Sequence, residues 1–144
     1  DGIFMSTSAA GYEVMSVAEH DRFCRPCDLE ILEAAGQGWF NMLHVHGQQP
    51  MFAELADYPV QVINWHDRSA GPGLKDALGL FKGALAGGVE QYQTLQFETP
   101  REVTAQVHDA VRQTRGRRLI VSAGCTYPIT VPEGNILAVR RALA

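Results

Sequence analysis

Five short apolar runs alternate with stretches of helical spacing, and this alternation constrains the fold more than any other feature of the sequence. The runs are continuous rather than alternating in polarity, which is typical of strands buried on both faces of a parallel sheet. We therefore predict an α/β fold of about five parallel βα units. The predicted strands cover residues 2–7, 40–46, 59–65, 83–88 and 118–122.

The segments between the strands predict helices with recognisable ends. One helix lies within 17–35, with Pro26 in its first turn and Gly36 after its last residue. Another begins at Thr99 and Pro100, because threonine is a good N-cap and proline suits the first helical position. Further helices are expected at 50–58, 74–81 and 132–143, and the one that begins at Thr99 continues to about 116.

Two architectures fit this order of elements. One is an open, doubly wound sheet; the other is part of a (β/α)8 barrel. A complete barrel needs roughly 250 residues, so a chain of 144 residues would hold only about half of one. In both architectures, ligands bind at the carboxyl ends of the strands.

Composition excludes several classes of protein. With 46% hydrophobic and 19% charged residues, the chain is expected to be one globular domain. A net charge of -4 argues against nucleic-acid binding, and the basic residues of 112–118 are interpreted as the end of a helix. We predict no membrane association and a cytoplasmic location, because no membrane-length apolar run, signal peptide or disulfide pattern is found.

Two histidines and a distant cysteine are candidate metal ligands. His44 and His46 end the second strand and would project to one face, while Cys125 follows the fifth. Imidazole and thiolate are ligands that zinc prefers, and three of them leave a fourth position open for chemistry. The alternative is that the histidines bind substrate without metal and that Cys125 is a small buried residue.

Other strand ends carry weaker candidates. Asn64, Trp65, Gly87 and Gly88 are predicted to bind substrate, although the glycines could equally form a tight turn. Asp67 is a candidate general acid or base, or alternatively a helix cap with an ion pair.

Three further features are interpreted without function. Cys24 and Cys27 form a C-x-x-C pattern that does not follow a strand, so we interpret it as coincidental. His20 and His108 lie in helical segments and are expected at the surface. No glycine-rich nucleotide-binding motif is present.

Taken in order, the motifs resemble the carboxyl-terminal part of the uroporphyrinogen decarboxylase superfamily, which includes cobalamin-dependent methyltransferases. The resemblance covers essentially the whole chain. It is carried by Leu43–Gly47, Gly87–Gly88, Glu98–Val103, Ser122–Cys125 and Pro132–Asn135.

The resemblance implies the second half of a (β/α)8 barrel, with zinc as the metal. Methyltransferases of this superfamily hold zinc through His-x-Cys and a later Gly-Cys. His44 and Cys125 match two of these ligands directly, and His46 stands where the first cysteine would be. Decarboxylases have Gly-His-Gly where this chain has Gly124-Cys125-Thr126.

The function implied by the resemblance is zinc-dependent methyl transfer, with cobalamin or a corrinoid protein as methyl donor. One alternative is metal-free decarboxylation of a tetrapyrrole, and another is a non-catalytic module that binds a tetrapyrrole or corrinoid. We also expect the chain to be inactive alone and to need an amino-terminal half, or another chain, to close the barrel.

Overall fold

The computed structural model describes all 144 residues and contains one parallel sheet of five strands. Every neighbouring pair of strands is parallel, and the strands lie side by side in chain order. The strands are β1 (Phe4–Thr7), β2 (Met42–Val45), β3 (Val62–Trp65), β4 (Ala84–Val89) and β5 (Leu119–Ala123).

The order of the strands decides between the two predicted architectures. A doubly wound sheet reverses direction at a switch point and so places non-consecutive strands side by side. Here no such reversal occurs, because the order is β1-β2-β3-β4-β5. The prediction of a partial (β/α)8 barrel is therefore confirmed, and the doubly wound alternative is wrong.

Seven helices accompany the strands, and the predicted helix within 17–35 is divided into two. Pro26 has no N–H to donate to the carbonyl of Arg22, so the first helix ends at Phe23 and a second begins at Arg25, with Cys24 capping both. Pro26 lies in the first turn of that second helix, as predicted. The helices are α1 (Val17–Phe23), α2 (Arg25–Ala34), α3 (Phe52–Leu55), α4 (Leu74–Leu80), α5 (Thr94–Phe97), α6 (Pro100–Thr114) and α7 (Glu133–Arg141).

The longest helix, α6, begins as its sequence predicts. The Glu102 carboxylate accepts the backbone N–H of Thr99 at 2.7 Å, and Pro100 occupies the first helical position. Val103 and Val107 are fully buried on the side of α6 that packs against the sheet and α7. The short helix α5 was not predicted.

Side chains along each strand alternate between a helix-covered core and an open face, which we call the concave face. Leu43 and Ile63 are completely buried in the core. Their strand neighbours His44 and Asn64 line a cleft on the concave face. Phe4 of β1 also lines this cleft and is 64% exposed, so this face of the sheet is only partly covered.

One expectation about the surface is wrong. His108 is exposed, as predicted, but His20 is completely buried beside α2. Its Nε2 lies 3.8 Å from a carboxylate oxygen of Asp28, which in turn accepts a hydrogen bond from the Tyr58 hydroxyl at 2.9 Å. The helix break at Cys24 brings this part of α1 against α2, and no feature of the local pattern indicates it. None of the helices is long and apolar enough to span a bilayer.

Candidate metal centre

His44 and His46 occupy adjacent places at the carboxyl end of β2. His44 is in the strand, faces the cleft and is only 5% exposed, whereas His46 follows the strand and is exposed. Their ring centroids are 5.7 Å apart, as expected for side chains that share one face of a strand. Gly47 then turns the chain with a φ of +119°.

Cys125 reaches the same place from β5. Its Sγ lies 3.4 Å from Nε2 of His44 and 3.8 Å from Nδ1 of His46. The structure therefore brings together the three residues that the sequence analysis selected as metal ligands.

A fourth donor, His66, was missed by the sequence analysis. It follows β3 and is 2% exposed, and its Nε2 lies 3.5 Å from Nδ1 of His46. The donor atoms of all four residues lie within 4.8 Å of one another. The sequence does contain an indication of His66, because it follows Asn64 by two residues, just as His46 follows His44.

The spacing of these donors fits zinc. Zn–N bonds of about 2.0–2.1 Å and Zn–S bonds of about 2.3 Å imply donor-to-donor edges of roughly 3.3–3.6 Å in a tetrahedral site. The closest donor pairs here are 3.4, 3.5 and 3.8 Å apart. Small movements of the side chains would suffice to enclose a metal ion.

Asn64 fixes the proton on His44. The Nδ2 of Asn64 donates to the backbone oxygens of Ala86 at 2.9 Å and Ala123 at 3.0 Å. Its Oδ1 must therefore accept from Nδ1 of His44, which lies 2.6 Å away. Because Nδ1 carries the proton, the lone pair of Nε2 faces Cys125 and is ready to bind metal. Asn64, predicted to bind substrate, thus orients a candidate ligand.

His66 has a comparable supporting contact. Its Nδ1 lies 3.0 Å from the side-chain amide of Gln91, which is 1% exposed. The ring orientation of His66 is therefore fixed by a buried neighbour. Gln91 lies just beyond β4 and carried no recognisable signal in the sequence.

Burial sets the protonation of the two enclosed histidines. Removal from water lowers the pKa of His44, partly opposed by the hydrogen bond that its Nδ1–H donates to Asn64. Burial also lowers the pKa of His66, and the neighbouring imidazoles of His46 and His44 lower it further. Both rings are therefore held in the neutral form, which is the form that coordinates metal.

Trp65 lies on the opposite face of the sheet from the cluster. Its ring is completely buried against Phe52, with centroids 4.6 Å apart, and its Nε1 donates to the carbonyl of Pro72. Successive strand residues point to opposite faces, so Trp65 faces the core when Asn64 faces the cleft. The structure does not bring Trp65 to the site where it was predicted to bind substrate.

A separate contact, outside the cluster, joins the carboxylate of Asp67 to Gly87 and Gly88. Both carboxylate oxygens of Asp67 lie 3.1 Å from the backbone N–H of Gly88, which donates to them. A Cβ at Gly87 would lie 2.7 Å from Oδ1 of Asp67. Gly87 therefore makes room for Asp67, whereas a Cβ at Gly88 would lie 2.6 Å from Ala110 of α6. Neither glycine lines the cleft, and burial raises the pKa of the Asp67 carboxyl. The catalytic role of Asp67 stays a prediction.

Three of the four donors, His44, His46 and Cys125, line a cleft of about 500 Å³ on the concave face. Apolar side chains of Phe4, Met42 and Ile120 line it together with the hydroxyls of Ser6 and Ser122. The arrangement can hold a metal ion beside a partly apolar chamber, where a ligand would be shielded from part of the solvent.

Comparisons with known proteins agree with the fold. The family model described as uroporphyrinogen decarboxylase (URO-D) matches residues 2–144. A solved structure of a methyltransferase from Methanosarcina mazei superposes with a TM-score of 0.83 at 18% sequence identity. The match covers 97% of this chain, which spans only 40% of that methyltransferase. A search of curated proteins found no match.

Proposed function

The chain belongs to the uroporphyrinogen decarboxylase family, and we propose that its His/Cys cluster binds zinc for corrinoid-linked methyl transfer. The observation that carries this proposal is the convergence of four donor atoms, from three strand ends, within 4.8 Å. Three imidazoles and one thiolate form a donor set that zinc prefers over magnesium or calcium.

The chemistry of methyl transfer fits this position. Zinc, when bound, lowers the pKa of a coordinated thiol acceptor, so that the acceptor is present as the thiolate. His46 is the exposed donor, and we expect the acceptor to approach the metal from its side. Asn64 holds the imidazole of His44 in place while the acceptor binds, through the hydrogen bond of 2.6 Å that it accepts from Nδ1.

The donor set also bears on the reactivity of the acceptor. A single thiolate, Cys125, among neutral imidazoles leaves a bound zinc ion with a net positive charge. That charge favours tight binding of an acceptor thiolate but lowers its nucleophilicity, compared with a site that has two cysteines. We therefore expect slower methyl transfer than a His-x-Cys site would support.

Decarboxylation of a tetrapyrrole is the second candidate, because the matching family model is that of uroporphyrinogen decarboxylase. On this alternative, the polar groups at the strand ends orient the substrate without metal. The partly apolar cleft of about 500 Å³ is compatible with part of such a ligand. Metal content discriminates between the two candidates.

The first experiment measures zinc binding by the purified chain. We expect one zinc per chain by metal analysis, because the donors form a single cluster. Replacing zinc with Co²⁺ should give the near-ultraviolet charge-transfer band of a Co–thiolate bond. Cys125→Ala should remove both signals, whereas Cys27→Ala should keep them because Cys27 lies outside the cluster. No zinc in the wild type, or equal binding by the two variants, would contradict the proposal.

Turnover requires the rest of the barrel. β1 and β5 each pair with only one strand, so we propose that an amino-terminal half or another chain pairs with these edges. The completed protein should convert methylcobalamin to cob(I)alamin when a thiol is added, which absorption spectroscopy follows. Release of carbon dioxide from a porphyrinogen by the zinc-free protein would instead favour the decarboxylase.

A further inference from the structure

The loop that follows β1 lies against the loop that follows His46. The N–H of Tyr12 donates to the carbonyl of Gln49 at 2.9 Å, and the N–H of Met51 donates to that of Ala10 at 3.0 Å. We call residues 8–15 the first loop and residues 47–51 the second loop. The first loop is therefore bonded to the segment that follows His46, the exposed member of the candidate metal cluster.

Glu13 of the first loop binds the backbone of the second. Its Oε1 accepts the N–H of Gln48 at 2.8 Å, and its Oε2 accepts that of Gln49 at 3.2 Å. The pKa of Glu13 is lowered, first by its own backbone N–H and then by those of Gln48 and Gln49, and the nearby His46 lowers it further. Glu13 thus remains a carboxylate where it touches the second loop.

Two glycines make room for this carboxylate. A Cβ at Gly11 would lie 2.6 Å from Oε2 of Glu13, and a Cβ at Gly47 would lie 2.5 Å from Oε1. Gly47 also has a φ of +119°, a conformation that other residues rarely adopt. The two loops are therefore shaped around the carboxylate of Glu13.

His46 needs support of this kind more than the other donors do. It lies beyond the last residue of β2, and its N–H donates to the carbonyl of Thr7 at a long 3.2 Å. His44 and His66 each have a side-chain partner on the other ring nitrogen, Asn64 and Gln91. For His46, the contacts found are those among the donors themselves.

We propose that Glu13 is the positioning residue for His46, holding the second loop so that the imidazole faces the other donors. This inference rests on the proposed metal site, but it concerns a residue that does not touch the metal. Glu13 acts on the backbone just after His46. His46 is thus supported through its backbone, whereas His44 and His66 are supported through their rings.

Glu13→Gln tests the proposal, because glutamine keeps the shape but loses one of the two acceptor oxygens. We expect zinc affinity, measured by competition with a chromogenic chelator, to fall about tenfold, the lower end of the range for outer contacts of metal ligands. The matched control is Glu19→Gln, whose carboxylate also accepts a backbone N–H, from Ser16 at 2.8 Å, but caps α1. The control should bind zinc as the wild type does.

A second measurement does not depend on metal. In the metal-free chain, amide hydrogen exchange at Gln48 and Gln49 should be about tenfold faster in Glu13→Gln than in Glu19→Gln. Unchanged exchange overturns the inference, as does faster exchange with unaltered zinc affinity. A third outcome is that the wild type binds no zinc but exchange is still faster in Glu13→Gln. That outcome supports the role of Glu13 in the loop and refutes the proposed function instead.

Discussion

Asn64→Ala is the substitution that most directly tests how the sheet supports the candidate metal centre. The amide of Asn64 is 6% exposed and contacts His44 on one side and two backbone carbonyls on the other. Alanine leaves the Nδ1–H of His44 and the carbonyls of Ala86 and Ala123 without these partners. His44 also loses the contact that selects its tautomer.

The expected loss of stability follows from these three groups. A buried polar group that loses its partner costs about 1–3 kcal/mol. His44 and Ala86 are 5% and 1% exposed, whereas Ala123 is partly exposed to the cleft, where water can replace the amide. We therefore expect the free energy of unfolding to fall by about 2–6 kcal/mol, measured by urea denaturation of the metal-free chain. Zinc affinity should fall by about 10–100-fold.

Asn135→Ala is the matched control. Its Nδ2 also donates to two carbonyls, those of Leu95 and Glu98, both at 2.9 Å, and the residue is 2% exposed. It contacts α5 and not the cluster, so stability should fall by about 1–3 kcal/mol while zinc affinity stays unchanged. The reasoning is refuted if Asn64→Ala unfolds like the wild type, or if both variants lose zinc affinity equally.

Three further predictions concern backbone strain, pH and thiol reactivity. Gly88→Ala should destabilise the chain by about 2–4 kcal/mol in urea denaturation, because φ is +108° and the new Cβ would lie 2.6 Å from Ala110 of α6. The control is Gly79→Ala, whose new Cβ would meet open space and should not destabilise the chain. Equal effects of the two substitutions would contradict the prediction. Burial lowers the folded-state pKa of His44 and His66, so the stability they contribute is present above their unfolded pKa of about 6.5 and is lost as pH falls below it. Urea denaturation from pH 7.5 to 5 should show this decline, His66→Gln should reduce it, and a flat profile would refute it. Saturating zinc should slow alkylation of Cys125, followed by mass spectrometry, about tenfold or more; an unchanged rate would exclude Cys125 as a ligand.

The fold and most of the candidate metal centre could be predicted from the sequence because they depend on local pattern. Short apolar runs defined all five strands, and the parity of side chains along β2 placed His44 and His46 together. The same rule, applied to β3, would have added His66 and removed Trp65. Trp65 follows Asn64 by one residue and so faces the core, whereas His66 follows it by two and so lies with the other donors.

Features that depend on contacts between distant segments could not be predicted. Glycines 87 and 88 suggested space for a ligand, but the space is filled by the carboxylate of Asp67 and by α6. The burial of His20 depends on how α1 packs against α2 after the break at Cys24. Nor does any pattern link Glu13 to the backbone of Gln48, because the contact joins two irregular loops.

The consecutive order of the strands determines what a metal ion at the candidate site would do for the fold. In such a sheet each strand pairs only with its neighbours along the chain, so few contacts join its two ends. A metal ion bound to His44 and Cys125 would link residues that are 81 positions apart. Because the donors converge only in the folded chain, the free energy of metal binding would add directly to the stability of the fold. Zinc would then act as a cross-link between β2 and the segment that follows β5.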